Sequence, residues 1–248
     1  MSEIFKSRGF CCAWTRKIII KITTWNCCLK LAKKADQLLE LDPDIAVIQE
    51  CEELEKDHFA DRTFHWFGHN SRKGLGVLLP RGSAVVDKRF DNSLDYFMPL
   101  NLHNGMKLLG VWSFTHRAAG RFGEGHRGHV GDAIEYYVDW LNDSDQGLIC
   151  GDFNNSVIWY RGTKASNFLS TSKRLQELGF ESVFHRLEEK DFGEENVATL
   201  YHTKQRNKPY HIDYLFCKGG EPVSCEIGSY DDWIALSDHM PVTANIQF

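Results

Sequence analysis

Residues 17–50 read KIIIKITTWNCCLKLAKKADQLLELDPDIAVIQE, and the order of their apolar patterns decides the fold class. Ile18, Ile19, Ile20 and Ile22 crowd β-branched side chains into residues 17–24, which suits a buried strand. Leu31, Ala35, Leu38 and Leu39 then recur at helical spacing. Pro43 predicts the end of that helix, because a proline drives the residue before it, Asp42, out of the α region. Residues 45–49 form a second short buried strand, with Glu50 at its C-terminal end. The first fifty residues therefore predict a strand, helix, strand unit.

The same patterns continue. Strands are expected at 63–68, 75–79, 84–90, 106–114 and 148–150, and again at 181–184, 198–201, 212–217 and 242–247, with Gly, Asn and Asp in the gaps. Val130, Ile134, Tyr137, Val138 and Leu141 make one helical stripe. Phe168, Leu175 and Leu178 make another, ending at Gly179, a residue suited to a left-handed cap. Strands outnumber helices, so the expectation is stacked sheets covered by helices.

With 248 residues, 42% hydrophobic and 25% charged, the chain can bury a sizeable core. No repeat or linker divides it, which predicts one domain over 17–248 preceded by an N-terminal extension, 1–16. The Gly-rich stretch holding Gly120, Gly123, Gly125, Gly128 and Gly131 is read as a loop within that domain. The longest early apolar run, Ile18 to Ile20, is far too short for a signal-peptide core or a membrane span, so a cytoplasmic protein without a membrane partner is expected. Nothing calls for an obligate protein partner. Cys11-Cys12 and Cys27-Cys28 lack the spacers that let a turn present two sulfurs to zinc, and reduced thiols are expected throughout.

The net charge of −5 argues against an architectural nucleic-acid binder, whose phosphate contacts come from Lys and Arg. Distribution matters more than the sum. Residues 161–174 carry Arg161, Lys164, Lys173 and Arg174 without a carboxylate, and 201–211 carry Lys204, Arg206 and Lys208. A third segment, 116–129, holds Arg117, Arg121, His126 and Arg127 against Glu124 alone. These segments are either solvated faces or tracks for a polyanion.

Asn26, Glu50, Gly151-Asp152-Phe153-Asn154, Asp213 and Ser237-Asp238-His239 all fall in or beside strand candidates, where polar groups from distant positions can converge at strand ends. Glu50 and Asp238 would make a hard oxygen site suited to Mg2+, with Mn2+ as the alternative.

These pieces, in this order, resemble the endonuclease/exonuclease/phosphatase superfamily over nearly the whole chain. The resemblance rests on Trp25-Asn26, on Pro43-Asp44-Ile45 with Gln49-Glu50, on Gly151-Asp152-Phe153-Asn154, on His211-Ile212-Asp213-Tyr214 and on Ser237-Asp238-His239-Met240-Pro241. It implies an α/β four-layer sandwich, two packed mixed β-sheets flanked by helices. It also implies a metal-dependent phosphodiesterase, foremost a nuclease acting on DNA or RNA. By the same resemblance Glu50 and Asp238 match the metal carboxylates and Asn26 the amide that supports them. Asp152 and Asn154 match the residues that orient the attacking water and contact the phosphate, His239 the catalytic histidine, and Asp213 the carboxylate that holds its ring.

The chemistry is coherent, since an anionic diester repels hydroxide, so a cation must neutralise charge while another group positions water. Asp152 and His239 both remain candidates for the base. A phosphate-contacting ring in or just after the strand before the central motif falls on Trp112 or His116, with His116 favoured. Cys28 stands where the abasic-site repair members carry an acid, which argues against that role. Two other readings are a phosphatase or phosphodiesterase acting on an inositol phosphate or phospholipid headgroup, and an inactive binding module, which metal-dependent turnover would separate from both enzymes.

Overall fold

A computed structural model describes residues 18–55, 57–94, 96–113, 128–159 and 167–248. The chain opens with β1 (Ile19–Asn26), β2 (Ile45–Cys51), β3 (Arg62–Asn70) and β4 (Lys73–Pro80). Next come β5 (Ala84–Val86), β6 (Phe97–Leu102), β7 (Lys107–Trp112), β8 (Gly147–Asp152) and β9 (Glu181–Ser182). It ends with β10 (Leu200–Tyr201), β11 (Pro209–Tyr210), β12 (Asp213–Lys218), β13 (Glu221–Ile227) and β14 (Val242–Gln247).

Twelve of these strands form two six-stranded mixed sheets, ordered β13-β14-β1-β2-β4-β3 and β5-β6-β7-β8-β12-β9, while β10 and β11 make a small ribbon. Each sheet has one parallel pair near its middle, β1 with β2 and β7 with β8, and antiparallel neighbours on both sides. A parallel pair needs a crossover. The first is a short helical turn at Leu31–Lys33 followed by α1 (Ala35–Glu40); the second includes α2 (Val130–Tyr136) and α3 (Val138–Asn142). The remaining helices are α4 (Phe168–Glu177), α5 (Val183–Glu188) and α6 (Tyr230–Trp233).

Three apolar layers hold this arrangement together. Ile45 and Val47 of β2 join Leu108, Leu148 and Leu215 of the other sheet between the two sheets, while Ala46 and Ile48 point the other way, to Leu31 and Leu38. The far face of the second sheet packs Leu109, Val111, Ile149 and Phe216 against Tyr137, Trp140, Phe168 and Leu175 of the helices. Each strand with both faces covered reads as an unbroken apolar run for this reason. Between the sheets a Cβ on Gly110 of β7 would lie 3.3 Å from methyl carbons of Val47 and Val77, tighter than ordinary packing, so glycine there sets how closely the sheets approach.

Several elements differ from the sequence expectation. The first helix begins late, because Cys28, Leu29 and Lys30 take left-handed backbone conformations before Leu31, and Asp42 ends the helical region in the same conformation. The stripe from Val130 to Leu141 breaks at Tyr137, which leaves helical geometry with ψ 9°. The strand expected over 84–90 ends at Val86, and that over 181–184 ends at Ser182, where α5 begins.

Strands β6 and β13 were not expected, and each contains a proline. Pro99 lies opposite the end of short β5, past its last paired residue Val86, so no ladder bond requires its missing N–H. Pro222 sits on an edge strand beside a register shift. Among the described residues no helix is long and apolar enough to cross a membrane, and the described cysteines are free thiols.

Candidate active site

The parallel pairs send four carboxyl-terminal strand ends to one edge of the sandwich. β1 ends at Asn26, and Glu50 lies next to last in β2. β7 ends at Trp112 and β8 at Asp152, paired in register. Because β12 runs antiparallel to β8, its first residue, Asp213, lies directly opposite Asp152. β14 is antiparallel to β1, so the segment just before it, with Asp238 and His239, arrives at the same edge.

The inner half of the site is buried and held by hydrogen bonds. Asp152 is wholly buried, and its Oδ2 accepts from Asn26 Nδ2 and Asn154 Nδ2, both at 3.0 Å, while Oδ1 accepts from the Asn154 backbone N–H at 2.8 Å. Asn154 adopts φ 46° to make this loop, and its amide also donates to the Ser113 carbonyl. Gly151 is required just before it, since a Cβ there would lie 1.8 Å from the Val111 carbonyl oxygen. His239 shares its Nδ1 proton with Asp213 Oδ2 at 2.9 Å and turns Nε2 toward Asp152, 4.0 Å away.

Charge in this pocket is set by burial and by neighbours. Burial pushes the Asp152 carboxyl up to about 7, with the Asp213 charge adding to it and His239 and Asn26 opposing. Burial alone would lower His239, but Asp213 and then Asp152 outweigh it and raise the ring to about 10. At neutral pH His239 is therefore an imidazolium between two carboxyl groups. One ligand atom from each of Asp152, Asp213 and His239 lies within 4.8 Å of the others, a spacing that could also hold a metal.

The outer half is wetter. Glu50 sits at a bulge where the β2 register shifts between Gln49 and Cys51, in the left-handed region with φ 58°. A non-glycine residue there is strained, and strain of this kind concentrates at working sites. Its carboxylate projects outward, 22% exposed, with Oε2 2.8 Å from Lys73 Nζ. The Asp238 carboxylate is half-buried and has no hydrogen-bond or ion-pair partner among the described residues. Both acids face Cys28, whose thiol burial pushes up and whose shift the Asp238 and Glu50 charges increase. Two hard, partly solvated carboxylates, of which only Glu50 has a charged partner among the described residues, fit a magnesium-like cation that keeps several waters.

Asn26 joins β1 to the inner half. Its amide nitrogen is committed to Asp152, its oxygen accepts the Cys28 N–H at 3.1 Å, and its backbone carbonyl accepts from Ser237 Oγ at 2.7 Å. The side chain thus serves the Asp152 carboxylate directly, a contact the sequence reading did not include.

Ser237 and Trp25, which the motifs include without a role, and Thr199 and Lys34, which no motif includes, complete the wiring. Ser237 Oγ accepts the His239 N–H, and Trp25 Nε1 donates to the His239 carbonyl at 3.0 Å. Thr199 Oγ1 accepts the N–H groups of Ile212 and Asp213. Lys34, with its pKa lowered by burial, ties Cys27 to Leu236 by donating to both carbonyls. Thr199 and Lys34 lie outside every motif, and only their tertiary position reveals them.

The basic segments fare unevenly. Lys204, Arg206 and Lys208 lie exposed on the turn joining β10 to β11, which is anchored to the site because Tyr201 N donates to the Asp238 carbonyl. Arg206 pairs with Asp231 and lies 4.2 Å from the Tyr230 ring, so it fastens this turn to α6. Arg174 is tied to Glu135 and Glu177 and is not a free cation. His116, Arg161 and Lys164 lie outside the described residues. Trp112 is 1% exposed and covered by Lys73, whose ammonium sits 5.1 Å from the ring centroid, so its face is not open to a substrate.

No family model and no curated protein matches the sequence. Solved structures do match. An AP endonuclease from Archaeoglobus fulgidus superposes with a TM-score of 0.64 at 16% identity over 91% of this chain and 98% of its own. The 3′ phosphatase NExo from Neisseria, bound to a product DNA hairpin, gives 0.67 at 17% over 91% and 98%. An endonuclease/exonuclease/phosphatase family protein from Leptotrichia buccalis gives 0.60 at 15% over 92% and 100%. The chain has the fold of that superfamily, two mixed six-stranded sheets flanked by helices.

Proposed function

We propose that this fold carries a metal-dependent phosphodiesterase that hydrolyses a nucleic-acid backbone. The observation that carries the proposal is the convergence of Asp152, Asp213 and His239 in one hydrogen-bonded cluster, with Glu50 and Asp238 beside it.

The roles follow from the charges. His239, protonated and held by Asp213, donates from Nε2 to a phosphate oxygen and stabilises the charge that builds there. Asp152 orients the attacking water and takes its proton, since its carboxyl, raised toward neutrality, is matched to that task. Asn154 and Asn26 fix the Asp152 carboxylate so that it need not reorganise during attack. Glu50 and Asp238 would hold the divalent cation, Mg2+ or Mn2+, which when bound would supply charge neutralisation on the phosphate.

For the substrate, the exposed Lys204 and Lys208 sit on a turn pinned to the Asp238 segment, a position suited to following a polyanionic strand past the site. Trp159 and Tyr210, with ring centroids 5.0 Å apart, offer a stacking surface nearby. Cys28 in place of an acid argues against an abasic-site preference. Two structural neighbours, an AP endonuclease and a 3′ phosphatase bound to a product DNA hairpin, keep both internal cleavage and end trimming open to test.

The test is incubation of labelled single-stranded and duplex DNA, RNA and an inositol phosphate panel with magnesium, with manganese and with chelator, for wild type and His239→Ala. Metal-dependent cleavage of an oligonucleotide that His239→Ala loses is the expected result. Turnover confined to the inositol phosphates would replace the nuclease with the small-phosphoester reading, and no turnover of any substrate would leave a binding module.

A further inference from the structure

Lys73 is the first residue of β4, and the strand pairing places it beside Glu50, because its neighbour Gly74 pairs with Cys51 across the β2 bulge. Its ammonium bonds Glu50 Oε2 at 2.8 Å with the lysine side chain 29% exposed. On its other side it rests against the Trp112 ring, 5.1 Å from the centroid, and Trp112 lies in register with Asp152. The one amine thus bridges the mouth of the site from the wet acid of the first sheet to the strand ends of the second. It also covers Trp112, the less favoured of the two residues, with His116, that the family resemblance offers as a phosphate contact.

Glu50 cannot serve two cations equally. A divalent ion on this carboxylate competes with the ammonium for the same charge, and two like charges at one carboxylate repel. Lys73 has an alternative, because its stem is flexible and its head is a mobile point charge with three donors. The Trp112 face keeps a displaced ammonium at the site, since a cation is attracted to an indole ring. What an ammonium released there meets is the substrate's phosphate.

We propose that Lys73 is an anion-binding residue of this site, held in reserve by Glu50 and handed to a substrate phosphate when Glu50 takes a divalent cation. The inference rests on Glu50 as a cation ligand. Its consequence is a two-way coupling, in which phosphate tightens the cation and the cation tightens phosphate, because linkage between two sites is reciprocal. Without phosphate, Lys73 weakens cation binding.

The experiment measures Mn2+ affinity of the full chain by electron paramagnetic resonance, with and without inorganic phosphate, in wild type, Lys73→Met, Lys73→Arg and Glu50→Gln. Thermal melts confirm that each variant is folded. In wild type, phosphate should tighten Mn2+ about fivefold or more, the lower end of ordinary coupling. Lys73→Met should bind Mn2+ more tightly than wild type in phosphate-free buffer and lose the response to phosphate, while Lys73→Arg keeps part of it. Glu50→Gln should weaken Mn2+ in both buffers. If Lys73→Met binds Mn2+ as wild type does or more weakly, and still responds to phosphate, the proposal is overturned while Glu50 stands. If Glu50→Gln leaves Mn2+ affinity unchanged, the cation assignment fails first and the handover with it.

Discussion

The site keeps its acids in two different ways. Asp152 and Asp213 are sealed in the interior and stabilised by amides and an imidazolium, whereas Glu50 and Asp238 remain partly wet, one against a lysine and one without a partner among the described residues. A buried carboxylate is tolerated only with full hydrogen bonding or an opposite charge, so the inner pair is as much a part of the fold as of the site. The outer pair costs the fold little. On the proposed reading, that charge is capacity for a cation.

The strongest way to break that comparison is through turnover. Asp152→Asn and His239→Ala should each lose on the order of 10² or more in kcat, the scale of one acid/base or electrostatic group. Glu50→Gln and Asp238→Asn should lose comparable activity, but excess metal should recover part of it. Single-turnover rates across a metal titration would distinguish the halves; recovery of His239→Ala by metal would erase the distinction.

Stability should separate the halves more cleanly. Asp213→Ala strands the His239 imidazolium in the interior and should cost about 3 kcal/mol or more. Glu50→Gln only releases a partly solvated ion pair and should stay within roughly 0.5 kcal/mol of wild type. Urea unfolding midpoints report both, and equal losses would show the outer pair to be structural as well.

The pH dependence sharpens the inner half. Asp152 sits raised at about 7, above the usual carboxylate range, so its base form is lost as pH falls through that value. Turnover should rise with pH along an acid limb centred near 7 and level off above it. An acid limb centred near pH 4 would assign proton removal to another group.

The smallest effect concerns the outer rim. Alanine at Lys204, Arg206 and Lys208 together should weaken oligonucleotide binding alike across sequences and flatten its salt dependence, leaving hydrolysis of a minimal diester nearly unchanged. Arg206→Ala alone should act through the turn it fastens to α6. Identical salt slopes in the triple variant and wild type would reduce the turn to a solvated face.

Much of this was legible because the deciding signals are local. Residues 17–50 announce strand, helix, strand through their own side chains, and Glu50, Asp152, Asp213 and His239 stand at strand ends that hydrophobic runs predict. What escaped prediction depends on partners far away in sequence. Pro99 looks incompatible with a strand until the early end of β5 is known. The charge of Arg174 looks free until Glu135 arrives from another helix. Lys73 lies outside every motif, and only the bulge that turns Glu50 toward it gives it a place at the site. The left-handed run from Cys28 to Lys30 has no glycine to signal it and persists because the chain must leave β1 and still bring the Leu29 N–H to the Glu50 carbonyl.

The bond from Asn26 to Asp152 joins one sheet to the other, so this centre works as a clasp across a seam. Its fit depends on how closely the layers nest, and Gly110 holds that spacing from within the core, with no side chain between Val47 and Val77. A few tenths of an ångström added at that glycine would splay the clasp while leaving every hydrophobic layer buried. For the hydrolase proposed above, a loosened interior should register as lost rate before it registers as lost structure.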